Sequence, residues 1–151
     1  KDFFRGNNSM WRHYKLRTIC TDLYYVDYTT TLQHKFINDK YPLLLMKYSA
    51  SIAADTVCPV AKYWENPAAG CLTFMEVTEQ NEAKILGFKD GENAIFINEK
   101  NYEKRFSDYI SDPNNSKWSE IAENGRNYTM KNLTNDVAAN SLVDLFKEFV
   151  F

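Results

Sequence analysis

The residue with the clearest capacity for chemistry is Glu65, within the stretch KYWENPAAGCLTF at residues 62–74. A carboxylate at the start of a short helix beyond a strand end can accept two hydrogen bonds from vicinal hydroxyls, and a ribose presents that pair of donors. Ala68, Ala69 and Gly70 carry little bulk, so a ligand or a neighbouring strand can approach their backbone closely. Helix N-termini near such a site offer amide N–H groups and a positive dipole end to phosphate. Lys62, three residues before Glu65, adds a positive charge. The same residues also have a plain structural reading, in which Glu65 favours the start of its own helix and Gly70 ends it. The residues alone leave both readings open.

Other reactive side chains are sparse. His13 and His34 are the only imidazoles, so no Ser/His/Asp or Cys/His arrangement can be argued. His13 falls at the start of a helix and within reach of a cleft at the strand ends; His34 precedes a strand, at an edge or surface. Asp55 follows an apolar strand at its carboxyl end, where it can touch a ligand or shape a loop. Arg126 suits pairing with carboxylates near helix ends. Cys20, Cys58 and Cys71 are widely spaced and form no CxxC or Cys/His pattern, so no metal site is expected. Reduced thiols fit a cytoplasmic protein. Asn-x-Ser/Thr triplets at Asn7, Asn114, Asn127 and Asn132 are expected by chance in so Asn-rich a chain.

At 151 residues and a net charge of −2, the chain is long enough for one domain with a core and lacks a basic field for nucleic acid. Its aromatic residues read as packing rather than as a stacking ladder for single strands. No apolar run approaches the ~20 residues of a membrane span. The opening KDFFRGNNS reads as the interior of a longer chain.

The elements that must position Glu65 follow from periodicity. DFFRG reads as a strand end running into a turn. Leu16, Ile19, Cys20 and Leu23 fall on one face of a helix over about Met10–Tyr25. TTTLQ is a loop or weak strand, HKFI a short strand, and Pro42 opens a short helix over Leu43–Tyr48. SASIAA reads as a strand, Trp64–Ala69 as a helix and Cys71–Met75 as a buried strand. Thr78 caps a helix over Glu79–Leu86, AIFI is a strand, and Asn98 caps a helix carrying Tyr102, Phe106, Tyr109 and Ile110. Asp112-Pro113 breaks it. A helix over Ser116–Asn132 follows, and a last one, Asn135–Phe149, is expected to bury Leu142, Leu145, Phe146 and Phe149. Short strands alternating with helices, with no hairpin turns, predict a single α/β domain: a parallel sheet with helices on both faces. In such sheets ligands bind at the carboxyl ends of the strands.

The blocks KYWENPAAGCLTF, ILGFKDGENAIFIN and YEKRFSDYISDPNNSKWSEIAENGRNYTMKNLT, in that order, resemble the carboxyl-terminal domain of GT-B glycosyltransferases. The likeness is to the spore-maturation-protein-like branch of the group 1 transferases and covers nearly the whole chain. The upstream Tyr14-x-x-Arg17, preceded by a turn at Gly6, resembles that family's first strand-turn-helix. The resemblance implies a Rossmann-like domain over residues 1–151, the C-terminal half of a GT-B fold, binding the nucleotide part of a nucleoside-diphosphate sugar. Glu65 would hold the ribose hydroxyls, Ala68 and Gly70 would line the same wall, and Lys62 and Arg17 would face the diphosphate. An acceptor hydroxyl would attack the anomeric carbon, with nucleoside diphosphate leaving. No metal or other cofactor is obligatory, because helix dipoles and basic side chains can stabilise the leaving phosphate.

Such an active site lies between two domains, so a fragment without the amino-terminal acceptor domain should bind nucleotide weakly and turn over little. Two departures stand out. The second glutamate that many relatives carry eight residues before the ribose-binding one is Val57 here. Their Gly-Gly turn after the next strand is replaced by Glu76-Val-Thr-Glu79, whose carboxylates would oppose a diphosphate. These departures favour the alternative: a non-catalytic α/β interaction module that has lost the donor site.

Overall fold

The computed structural model describes residues 9–28, 36 and 38–150. Gly6, the DFFRG strand and TTTLQ lie outside these residues, as does most of HKFI. Helix α1, Ser9–Cys20, is kinked at Tyr14 (φ −123°, ψ 31°). It stops five residues short of the predicted end, because Thr21, Asp22 and Leu23 turn their N–H groups back onto carbonyls three residues earlier. A 3₁₀ turn at Asn38–Lys40 enters α2, Tyr41–Leu45, with Pro42 in its first turn, where a missing N–H costs nothing. Then come β1, Ala50–Ala53, α3, Lys62–Ala68, β2, Leu72–Glu76, and β3, Ile95–Ile97. Three helices complete the chain: α4, Tyr102–Ser111, α5, Ser116–Asn132, and α6, Asn135–Val150.

The sheet runs β1-β2-β3 and both pairings are parallel, with Ile52 opposite Phe74 and Phe74 opposite Ile95. Central β2 is buried along its whole length, which is why its sequence reads as a continuous apolar run rather than an alternating one. Its side chains still divide by parity. Leu72 and Phe74 join Ile95 and Ile97 in a core with Leu16 and Cys20 of α1, Phe106 of α4, and Trp118 and Ile121 of α5. Met75 enters a second core with Ala53, Tyr63 of α3, Val77 and Phe88. The chain is thus a Rossmann-like α/β domain with helices against both faces of a parallel sheet.

Helix α5 closes the amino ends of the strands and touches both cores. At Gly125 its backbone comes so near the Asn93 carbonyl that a Cβ there would sit 2.5 Å from that oxygen. Two predicted elements come out differently. No helix spans Glu79–Leu86: Thr78 and Asn81 bond each other's backbone N–H groups, Glu82 turns left-handed (φ 50°), and only Ala83–Leu86 coil as 3₁₀. Asn81 is committed to local backbone contacts that compete with a helix. The last helix forms but does not bury its apolar side. Leu142, Leu145 and Phe146 are exposed and Phe149 is 79% exposed, because α6 makes no extensive contact with another element among the described residues.

Candidate functional site at the carboxyl ends of the strands

A parallel sheet collects the residues that follow its strands at one end, and here that end is polar and closed. Pairing between β1 and β2 stops at Ala53 and Met75, so the next carbonyls need other donors. Tyr63 of α3 and Asn81 supply them. The Tyr63 hydroxyl donates to the Glu76 carbonyl (2.9 Å) and accepts from the Asp55 N–H (3.2 Å). Asn81 Nδ2 donates to the carbonyls of Asp55 and Glu76, both at 2.9 Å, while its Oδ1 accepts from the N–H groups of Thr78 and Ala83. One tyrosine and one asparagine therefore fasten two diverging strands. Burial pushes the Tyr63 hydroxyl well above its ordinary titration range, so it remains an O–H donor.

Two carboxyl groups sit in this network, each only 1% exposed. Asp55 Oδ1 accepts the N–H groups of Val57 (2.9 Å) and Cys58 (3.2 Å), a turn held by its own side chain. Half-exposed His13 places Nδ1 3.8 Å from the same oxygen, and the His13 carbonyl accepts from Thr56 N–H at 2.7 Å. Glu76 ends β2 with the parity of Leu72 and Phe74, which directs it to the α1 side of the sheet. Its Oε2 is fully enclosed and has no hydrogen-bond partner among the described residues. Burial, then the negative charges of Asp55 and Glu99, push its carboxyl up to about 7, against a smaller opposing effect of Lys15. Lys15 itself pairs with Glu99, just beyond β3, at 2.7 Å. Burial and Glu76 together push the Cys20 thiol up to about 12.

The residues singled out in the sequence are spread over two ends of the molecule. Glu65 is the fourth residue of α3, exposed, with no side-chain hydrogen bond or ion pair among the described residues. Lys62, at the start of α3, donates to the Tyr41 hydroxyl (2.7 Å) and lies over that ring. Ala68 ends α3, and Gly70, left-handed at φ 85°, turns the chain into the amino end of β2. There Gly70 borders a cleft of about 570 Å³ with Ser49, Trp118 and Arg126. Lys62 and Glu65 thus share one stretch of helix near the carboxyl ends, whereas Gly70 lies at the opposite end of the strands. The Arg17 guanidinium stacks 3.8 Å from the Tyr14 ring on α1.

Sequence reasoning passed over Tyr63, Asn81 and the buried state of Glu76. The signal for Glu76 was a charged residue closing the otherwise apolar run CLTFME; for Asn81 it was an asparagine interrupting a helical pattern. Among the described residues no group of three His, Cys, Asp or Glu side chains is placed to hold a metal ion, and no helix is long and apolar enough to cross a membrane. All three cysteines are free thiols. Compared with known proteins, the chain matches no family model, no curated protein and no solved structure.

Proposed function

We propose that this chain is the nucleotide-sugar-binding domain of a GT-B glycosyltransferase, which moves a sugar from a nucleoside-diphosphate donor to an acceptor hydroxyl. The observation that carries the reading is Glu65: an unpaired, exposed carboxylate on the helix that leaves the carboxyl end of β1, within the sequence blocks that resemble those enzymes. Such a carboxylate is free to accept both hydroxyls of a ribose. Lys62, one turn earlier on the same helix, is the nearest basic candidate for the diphosphate, and it can exchange its Tyr41 contact for a phosphate oxygen. Ala68, Arg17 and Gly6 belong to the same proposal through the resemblance, whereas Gly70, at the amino end of β2, falls outside this site. The acceptor contacts and the catalytic base would come from an amino-terminal domain, and the enzyme would work in the cytoplasm.

A second reading has its own support. The carboxyl ends expose Glu79 and Glu99, with Asp55 buried behind them, where a diphosphate would prefer cations. This favours an α/β interaction module that keeps the fold without the donor. Thermal unfolding with UDP, GDP, ADP, CDP and TDP separates the two. One diphosphate at a hundred times its Kd should stabilise the domain by about 2.7 kcal/mol, an effect abolished in Glu65→Ala. A flat response to all five supports the interaction module.

A further inference from the structure

Helix α1 reaches the exits of the outer strands and the face of the central one. Its His13 carbonyl holds Thr56 beyond β1, its Lys15 pairs with Glu99 beyond β3, and its Leu16 and Cys20 share a core with Leu72 and Phe74, on the face of β2 to which Glu76 also points. The kink at Tyr14 falls between the two residues that make the outer contacts, His13 and Lys15. Among its described side chains, Leu16 and Cys20 are the buried ones, packed in one core with residues of β2 and β3. What lies beneath it is unusual for a core: a carboxyl group whose Oε2 is sealed from water without a partner. A neutral carboxylic acid tolerates that position; a carboxylate does not, because an unpaired buried charge costs several kcal/mol.

We propose that α1 is a proton-controlled latch over the carboxyl ends of the sheet, held shut while Glu76 carries its proton and released when that proton is lost to solvent. The groups that face Glu76 all bear on the switch. Asp55 beyond β1 and Glu99 beyond β3 resist the second negative charge, and the Cys20 thiol of α1 and the Tyr63 hydroxyl of α3 stay neutral around it. Among the described residues Lys15 of α1 is the cation that favours ionisation, and its pairing with Glu99 spends part of that effect. The cheapest escape for an ionised Glu76 is therefore to reach water by shedding the helix on top of it. β2 itself cannot move, since it is paired on both sides. The raised titration of Glu76 places the transition near neutrality. The latch does not depend on the nucleotide reading, since it needs only the packing of α1.

Hydrogen exchange resolved to single amides tests this. Protection of the Leu16–Cys20 amides, corrected for intrinsic exchange, should fall about tenfold for each pH unit between roughly 5 and 7 and then level off. It should fall through an opening smaller than global unfolding, insensitive to low denaturant, while Phe74 and Ile121 exchange only on global unfolding. In Glu76→Gln the α1 amides should keep one level of protection across the range. In Lys15→Gln the midpoint should move to higher pH. Equal protection of α1 and the β2 core, a pH-independent α1 in the wild-type chain, or a pH dependence that survives Glu76→Gln would each overturn the proposal.

Discussion

The two ends of the sheet are closed by opposite means. At the amino ends α5 lies against the strands through close, largely apolar contact, with Trp118 and Ile121 in the core and the bare backbone at Gly125 letting the helix approach, beside the cleft at Gly70 and Trp118. At the carboxyl ends the covering is polar: Tyr63, Asn81, Asp55 and Glu76 occupy sites from which water is excluded. Apolar packing tolerates small adjustments and asks only for volume. A buried polar network has to be complete, since each group left without a partner costs free energy of its own. The carboxyl ends are therefore the less forgiving and more chemically responsive side of the same fold.

Substitutions at the two ends sharpen that contrast. The largest loss is expected for Asn81→Ala, which strands the Thr78 and Ala83 N–H groups, while the Asp55 and Glu76 carbonyls keep the Tyr63 hydroxyl. At roughly 1–3 kcal/mol for each of the two stranded groups, chemical denaturation should register a loss of about 4 kcal/mol. A cost below 1 kcal/mol would mean that the network is dispensable.

Next in size is a pH effect confined to the polar end. The Glu76 carboxyl titrates higher folded than unfolded, so its contribution is fully present below about pH 4.5 and is lost as pH rises through about 7. Over that window the sum is about 3 kcal/mol, from ~1.4 kcal/mol per pH unit. Unfolding free energies measured from pH 4 to 8 should decline accordingly in the wild-type chain and flatten in Glu76→Gln.

At the apolar end, Gly125→Ala should cost about 2 kcal/mol, because overfilling a tight contact costs ~1–3 kcal/mol and the neighbour here is a backbone carbonyl that yields little. Its loss should be the same at pH 5 and pH 8; a pH-dependent loss would tie the two ends together. Smallest of all, Glu65→Ala should change stability in the absence of nucleotide by less than about 0.5 kcal/mol, as expected of an exposed side chain without a partner.

Much of this architecture was legible beforehand because it rests on local periodicity. The boundaries of α5 match Ser116–Asn132, and SASIAA, CLTFM and AIFI each contain a strand. What escaped was set by tertiary context. Tyr63 looks like one more aromatic in KYWENP, and only the divergence of β1 from β2 gives its hydroxyl two backbone partners. Asn81 sits in a stretch whose spacing suits a helix, yet distant carbonyls claim its side chain. Glu76 read as a turn carboxylate that would oppose a diphosphate, because nothing local announces that tertiary packing buries it. For Glu65 the place in a short helix beyond a strand end was readable from sequence, whereas the distance separating it from Gly70 follows from the direction in which α3 runs.

The bare side of α6 has a consequence of its own. Its sixteen residues lie close to the ~15-residue length below which an isolated helix is marginal in water, since nucleation is costly. Its coil content is then a gauge of company: ellipticity from this segment should grow with whatever comes to lie along Leu142, Leu145 and Phe149. Until something does, the cooperative unit finishes near Asn132, and cutting the chain after Thr134 should leave its melting temperature where it was.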